Sequence, residues 1–266
     1  MKIKSLVRGA LEGAINFAGY DVEFAKKGVR ELTAVDKMVW EPFCRRIDRV
    51  ELYQKAMDIT DMRDTDNFPR QLRFDSLQQS IQHILKNNVE GDFAECGCWK
   101  GLSAYITCHY ISEFGGNRQF LIFDSFEGGL SDKNEKDENL RYQLSDQEIL
   151  EEKLHFSSTE AHIHKALEHH DNYRLYKGWI PERFSEVSGT RFAFVNIDVD
   201  LYQPTKDSVE FFFPRLSSGG IIVCDDYNMS QFPGAKAAID EFANSNQDRI
   251  RYFYEVPMGG CLIIKR

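Results

Sequence analysis

The chain has 266 residues, 42% hydrophobic and 28% charged, with a net charge of −9. That length suffices to bury one large core with an appended segment. The acidic balance, with no Lys/Arg cluster interleaved with aromatics, argues against nucleic acid as a partner, and no stretch reaches the roughly 18 apolar residues of a membrane span.

In chain order, Ile3, Leu6, Val7, Leu11, Ala14, Ile15 and Ala18 recur at helical spacing, while Arg8, Glu12 and Asn16 break any signal-peptide core. The stripe predicts a helix docked on the body or on a second subunit, and so a homo-oligomer. Helical pieces are expected within 35–65, and Leu77, Ile81, Ile84 and Leu85 mark one helix face within 76–88. Residues 1–75 are taken as a helical N-terminal extension, serving as an oligomer contact or acceptor-site cover, and 76–266 as the main domain. Six cysteines form no CxxC pair and suit a reduced, cytoplasmic protein. Cys96 and Cys98, two apart, are expected on one side of a strand, with too few further ligands for zinc.

From residue 91 onward strand-like runs (91–97, 118–124, 172–178, 191–198, 219–226, 250–256 and 260–266) alternate with helix-like runs (102–113, 146–168, 181–187, 203–213 and 234–243). Alternation of this kind predicts an α/β fold, a mainly parallel sheet covered by helices on both faces. Only "PMG" joins the last two runs, too short for a parallel crossover, so they should form an antiparallel hairpin. The result is a Rossmann-like, seven-stranded sheet of the class I methyltransferase kind with its last strand antiparallel.

In such sheets ligands bind beyond the carboxyl ends of the strands. Glu95, Asp124, the pair Asp198 and Asp200, and the pair Asp225 and Asp226 all fall there. An acid at one strand end is commonly only a turn former or helix cap. Acids at four strand ends point instead to a cation or to hydrogen-bond donors that offset their repulsion. The loop "ECGCWKGLSAYI" leads from a strand through Gly97 and Gly101 to a helix start at Ser103, a place for an anionic group. It lacks GxGxxG and GxxxxGK[ST]. Together with Asp124 as an acceptor for ribose hydroxyls, it fits an adenosine ligand with a charged tail, such as S-adenosylmethionine. Its amino-acid end would meet Glu95, Gly97, Gly101 and Ser103, with Trp99 at its flank, and Trp179 would lie beside the adenine.

The motifs "GDFAECGCWKGLSA", "LIFDSFEG", "IDVDLYQPT" and "GGIIVCDDYNMSQFPGAKAAIDEF" resemble those of the macrocin O-methyltransferase family over roughly residues 60–266. The resemblance implies metal-dependent methylation of sugar hydroxyls from S-adenosylmethionine. It assigns Asp198, Asp225 and Asp226 as Mg²⁺ ligands, Asp200 as general base, and Ser125 and Asp198 to the cofactor site as well. Val199, Gln203, Pro204 and an extra glycine in "FDSFEGGL" depart from the family pattern. The acceptor is expected to carry vicinal hydroxyls. A catechol or other diol acceptor, and a cofactor-binding scaffold without turnover, remain alternatives. The polar 125–158 segment reads either as a lid or as a plain solvated insertion, and the histidines of "HIHKALEHH" read as a solvated helix face.

Overall fold

The computed structural model describes residues 47–138 and 145–266. The stripe from Ile3 to Ala18, Cys44 and the helical pieces expected at 35–46 lie outside the described residues. The chain runs through helices α1 (Ile47–Ile59) and α2 (Phe68–Lys86), strand β1 (Asp92–Cys96), α3 (Leu102–Phe114) and β2 (Phe120–Asp124). It continues through α4 (Asp146–His155), α5 (Glu160–Ala166), β3 (Tyr173–Lys177), β4 (Phe192–Ile197), α6 (Tyr202–Arg215) and β5 (Leu216–Cys224). It closes with α7 (Pro233–Ser245), β6 (Ile250–Glu255) and β7 (Cys261–Lys265).

The seven strands form one sheet in the order β3-β2-β1-β4-β5-β7-β6. Strands β1 to β5 pair in parallel, β7 runs antiparallel to β5, and β6 and β7 form the expected antiparallel hairpin. Alternate residues of each central strand feed opposite layers. Phe93, Ile122, Phe194 and Ile221 pack with Leu52, Met57, Phe74, Ile81 and Ile106 from α1, α2 and α3. Ala94, Leu121, Val195 and Ile222 pack with Val209, Phe212, Phe213 and Ile239 from α6 and α7. Each side chain so buried contributes about 1.5–3 kcal/mol, and the two layers hold the strand ends rigidly beneath the site.

Several local expectations are corrected. The helix expected over 146–168 is two, α4 and α5, separated at 156–159, because Thr159 turns its hydroxyl onto the amide of His162 and caps a new helix. Residues 181–187 hold only a short 3₁₀ turn, Phe184–Val187. The helix expected from residue 76 starts at Phe68, where the Asn67 side chain accepts from the Arg70 amide and Pro69 occupies the first turn. It therefore runs straight through the boundary drawn at residue 75. Cys96 and Cys98 do not share a side: they pack into opposite layers, because the strand ends at Cys96 and the chain reverses at Gly97. The five described cysteines are unpaired and buried.

Gly97 sets the start of the site. Its φ is +81°, and a Cβ there would lie 1.8 Å from the carbonyl oxygen of Asp198. The close approach lets β1 and β4 end side by side, with the Asp198 amide donating to the Cys96 carbonyl at 2.8 Å. Gly97→Ala should cost at least about 1–3 kcal/mol from backbone strain alone. It should lower the thermal midpoint by several degrees, since each kcal/mol shifts a chain of this size by about 2–4 °C.

Candidate active site

At the carboxyl ends of β1, β2, β3 and β4 a cavity of about 430 Å³ is lined by Gly97, Trp99, Asp124, Ser125, Trp179 and Asp198. These are the sequence-named cofactor residues that the fold brings to one surface. Asp124 ends β2 and organises the loop after β1: one oxygen accepts from the amides of Cys98 and Trp99 at 2.7 and 3.2 Å, the other from the amide of Phe126 at 2.5 Å. Trp99 adopts φ +43° and donates from its indole to the carbonyl of His155 at 3.0 Å. The loop after β1 is thereby stitched to the end of α4, and Lys153 and Phe156 close the cavity on that side.

Glu95, Gly101 and Ser103 stand behind the cavity wall rather than on it. Gly101, at φ +87°, opens α3. Glu95 is fully buried; its Oε1 accepts from Asn196 at 2.9 Å and Ser103 also bonds the carboxyl. Its Oε2 is buried with no partner among the described residues. Burial pushes the Glu95 carboxyl up to about 7, against the opposing bonds from Ser103 and Asn196. A buried carboxylate oxygen left open is costly unless a donor meets it, and an ammonium group is such a donor.

Four aspartates follow the ends of β4 and β5. Asp198, Asp225 and Asp226 each bring one carboxylate oxygen to within 4.8 Å of the others. Three oxygen donors and no sulfur or imidazole suit a hard divalent cation. Burial, then the charges of Asp225, Asp226 and Glu95, push the Asp198 carboxyl well above the usual range. Asp226 is raised likewise, by burial and by Asp200 and Asp225. Asp200, on the cavity wall, adopts φ +60°, and its amide donates to Asp226 Oδ2 at 2.8 Å. Burial and the charges of Asp198 and Asp225 raise its carboxyl well above the ordinary value, while a side-chain bond to Asp226 opposes them.

Sequence reasoning missed Arg73. It reaches from α2, inside the segment read as an extension, to Asp225, with Nε 3.0 Å from both carboxylate oxygens. Burial works against its charge, yet the facing carboxylates of Asp225, Asp198 and Asp226 raise its pKa above that of ordinary arginine. The available signal was its spacing, four residues before Leu77 and eight before Ile81 on the inward face of α2. Also missed was Glu152 of α4, which pairs with Lys133, accepts from Gln231 at 3.3 Å and adds its charge to the field on Asp200. Among the histidines, His164 and His169 are exposed.

The sequence profile of the macrocin-O-methyltransferase (TylF) family matches residues 53–252. The 8-demethyl-8-(2,3-dimethoxy-alpha-L-rhamnosyl)-tetracenomycin-C 4'-O-methyltransferase of Streptomyces olivaceus is 30% identical over 159 residues, 58% of this chain and 60% of that protein. The demethyldecarbamoylnovobiocin O-methyltransferase of Streptomyces niveus is 25% identical over 181 residues, 64% of each chain. In both cases the match spans less than two thirds of the relative's length. The structure of the O-methyltransferase NovP has the same fold, with a TM-score of 0.59 at 22% identity, covering 73% of this chain and 79% of that one. With the profile matched from α1 to β6, across both layers and every aspartate of the site, the chain belongs to the macrocin-O-methyltransferase family.

Proposed function

We propose that the protein is a methyltransferase that moves a methyl group from S-adenosylmethionine to a hydroxyl of a sugar, on a natural-product glycoside or a surface-glycan precursor. A divalent cation, Mg²⁺ by the donor chemistry, would be held by Asp198, Asp225 and Asp226. The observation that carries this reading is the contiguity of two sites: Asp198 belongs both to the cavity wall and to the carboxylate triad, and Asp200 lines the cavity while its amide bonds Asp226. Family membership and the glycoside named for the Streptomyces olivaceus relative support the sugar acceptor.

When bound, S-adenosylmethionine supplies an electrophilic methyl and the cation a positive charge that stabilises a developing alkoxide. The chain's own residues do the rest. Asp124 and Ser125 would offer acceptors for ribose hydroxyls, and the Trp179 ring would cover the nucleobase. The open oxygen of Glu95, behind the wall in the unliganded protein, would have to be uncovered to meet the ammonium of the amino-acid tail. Asp200 accepts the proton of the acceptor hydroxyl as its oxygen bonds to the methyl carbon and the carbon–sulfur bond breaks. The products are the methyl ether, S-adenosylhomocysteine and a proton left on Asp200.

The test is a thermal-shift titration of EDTA-treated protein with S-adenosylhomocysteine, then with added Mg²⁺, followed by turnover assays on rhamnosyl glycosides and on a catechol. Saturable stabilisation and turnover of a glycoside are expected. Turnover of the catechol alone would replace the sugar acceptor, and no stabilisation by the nucleoside would sink the proposal. Glu95→Gln should weaken S-adenosylhomocysteine by roughly ten- to a hundredfold, the loss of a bond to a charged group worth about 1.5–3 kcal/mol. In the wild type that binding should tighten as pH rises through about 7, where Glu95 ionises. In the variant this pH dependence should be gone; equal affinity at every pH in both proteins would remove Glu95 from the ligand's contacts.

A further inference from the structure

Arg73 meets Asp225 in a geometry that a simple charge contact does not require. Its Nε is 3.0 Å from Oδ1 and 3.0 Å from Oδ2. A donor equidistant from both oxygens lies in the plane that bisects the carboxylate, the plane a cation must enter to chelate both oxygens at once. The side chains are 9% and 19% exposed, so the pair is shielded from competing water. The Arg73 stem runs beside the β6–β7 turn: Cβ atoms built on Gly259 and Gly260 would each come to 3.6 Å from its Cδ.

A carboxylate has about four lone-pair sites, two of them outside the bisector. With the chelating position occupied, Asp225 can give a cation one oxygen and not two. We propose that Arg73 is a positioning residue for the cation centre: it confines Asp225 to one-oxygen ligation, keeps coordination positions open for acceptor hydroxyls, and favours Mg²⁺ over Ca²⁺. The inference rests on the reading of Asp198, Asp225 and Asp226 as a divalent-cation site. Its chemistry follows from the two ions. Ca²⁺ takes six to eight oxygens and readily uses both oxygens of a carboxylate, whereas Mg²⁺ keeps six positions and retains water in several. Charge agrees with geometry, since one dication and one guanidinium together balance the three carboxylates of the triad.

The experiment uses the full chain with S-adenosylhomocysteine bound. Calorimetric titrations with MgCl₂ and CaCl₂ give the affinity ratio, and water-proton relaxation with MnCl₂ counts the water molecules on the ion. Arg73→Gln should move the ratio toward Ca²⁺ by about tenfold or more, as substitutions behind metal ligands do, and should remove water from the ion as Asp225 swings to two-oxygen ligation. Arg73→Lys, which keeps the charge but replaces the planar donor by a mobile ammonium, should move both readouts in the same direction, and it carries the test if the glutamine variant fails to fold. S-adenosylhomocysteine stabilisation reports folding of each variant independently. An unchanged ion ratio and water count in a folded variant would overturn the inference while leaving the cation site intact. Failure of the wild-type protein to bind any of the three ions would overturn the cation reading itself, and the inference with it.

Discussion

Asp200→Asn should lower methyl transfer by about 10²–10⁴-fold, the usual contribution of a positioned general base, while S-adenosylhomocysteine binds as it does to the wild type. Asparagine is the informative replacement. Asp200 sits at φ +60°, a conformation that asparagine tolerates far better than most residues, and the hydrogen bond its backbone amide donates to Asp226 survives the replacement. Alanine would mix lost chemistry with backbone strain. The carboxyl of Asp200 is raised by burial and by Asp198 and Asp225, so positive charge at its neighbours would favour the ionised form that can take a proton. Single-turnover rates and nucleoside titrations on the same preparation check the expectation, and unchanged turnover would leave Asp200 without a part in the proton transfer.

The second large effect is a coupling between cation, proton and stability. In the metal-free protein Asp198, Asp200 and Asp226 all carry raised pKa values, set first by burial and then by one another's and Asp225's charges. In the unfolded chain they titrate near about 4. Between that value and the raised ones the folded chain holds more protons than the unfolded chain, so stability falls as pH rises. A cation at the triad needs ionised carboxylates and therefore releases those protons. Its affinity should climb with pH across the same window and level off once the carboxylates are ionised without it. At about a hundred times its dissociation constant Mg²⁺ should add roughly 2.7 kcal/mol, visible as several degrees in the midpoint. At one fixed Mg²⁺ concentration the increment at the higher of two pH values within that window should exceed that at the lower. Asp226→Ala should abolish the increment at both. A midpoint rise that ignores pH, or that survives Asp226→Ala, would move the cation elsewhere.

What the sequence disclosed and what it withheld divide along range. The strand runs were legible because each is a short apolar stretch with its own punctuation. Asp198, Asp225 and Asp226 were legible because parallel strands put their carboxyl ends on one edge, which turns a position along the chain into a position in space. The break between α4 and α5 was missed because "HFSSTE" keeps polar, helix-compatible spacing, and only the Thr159 cap shows that a new helix begins. Arg73 was out of reach for a different reason. It lies 152 residues from Asp225, at the N-terminal end of the apolar stripe it shares with Leu77 and Ile81, where nothing local names a partner. The layer behind the cavity wall, where Ser103 and Asn196 share Glu95, follows from the β1–β4 register that aligns Glu95 with Asn196, and register between non-adjacent strands is not written locally.

That register also fixes a length. Ile197 and Cys224 are partners in the β4–β5 ladder, and the Asp225 amide donates to the Ile197 carbonyl at 2.9 Å. Asp198 and Asp225 thus leave adjacent strands at the same rung, and the gap between them is the lateral repeat of a β-sheet, about 4.7–4.9 Å. The peptide backbone acts as a gauge block for the centre. Core side chains on either layer can change size without resetting it, because the hydrogen-bond ladder and not their volume defines the spacing. Evolution could therefore rework the walls and the mouth for new acceptors while the calibre of the centre stayed constant.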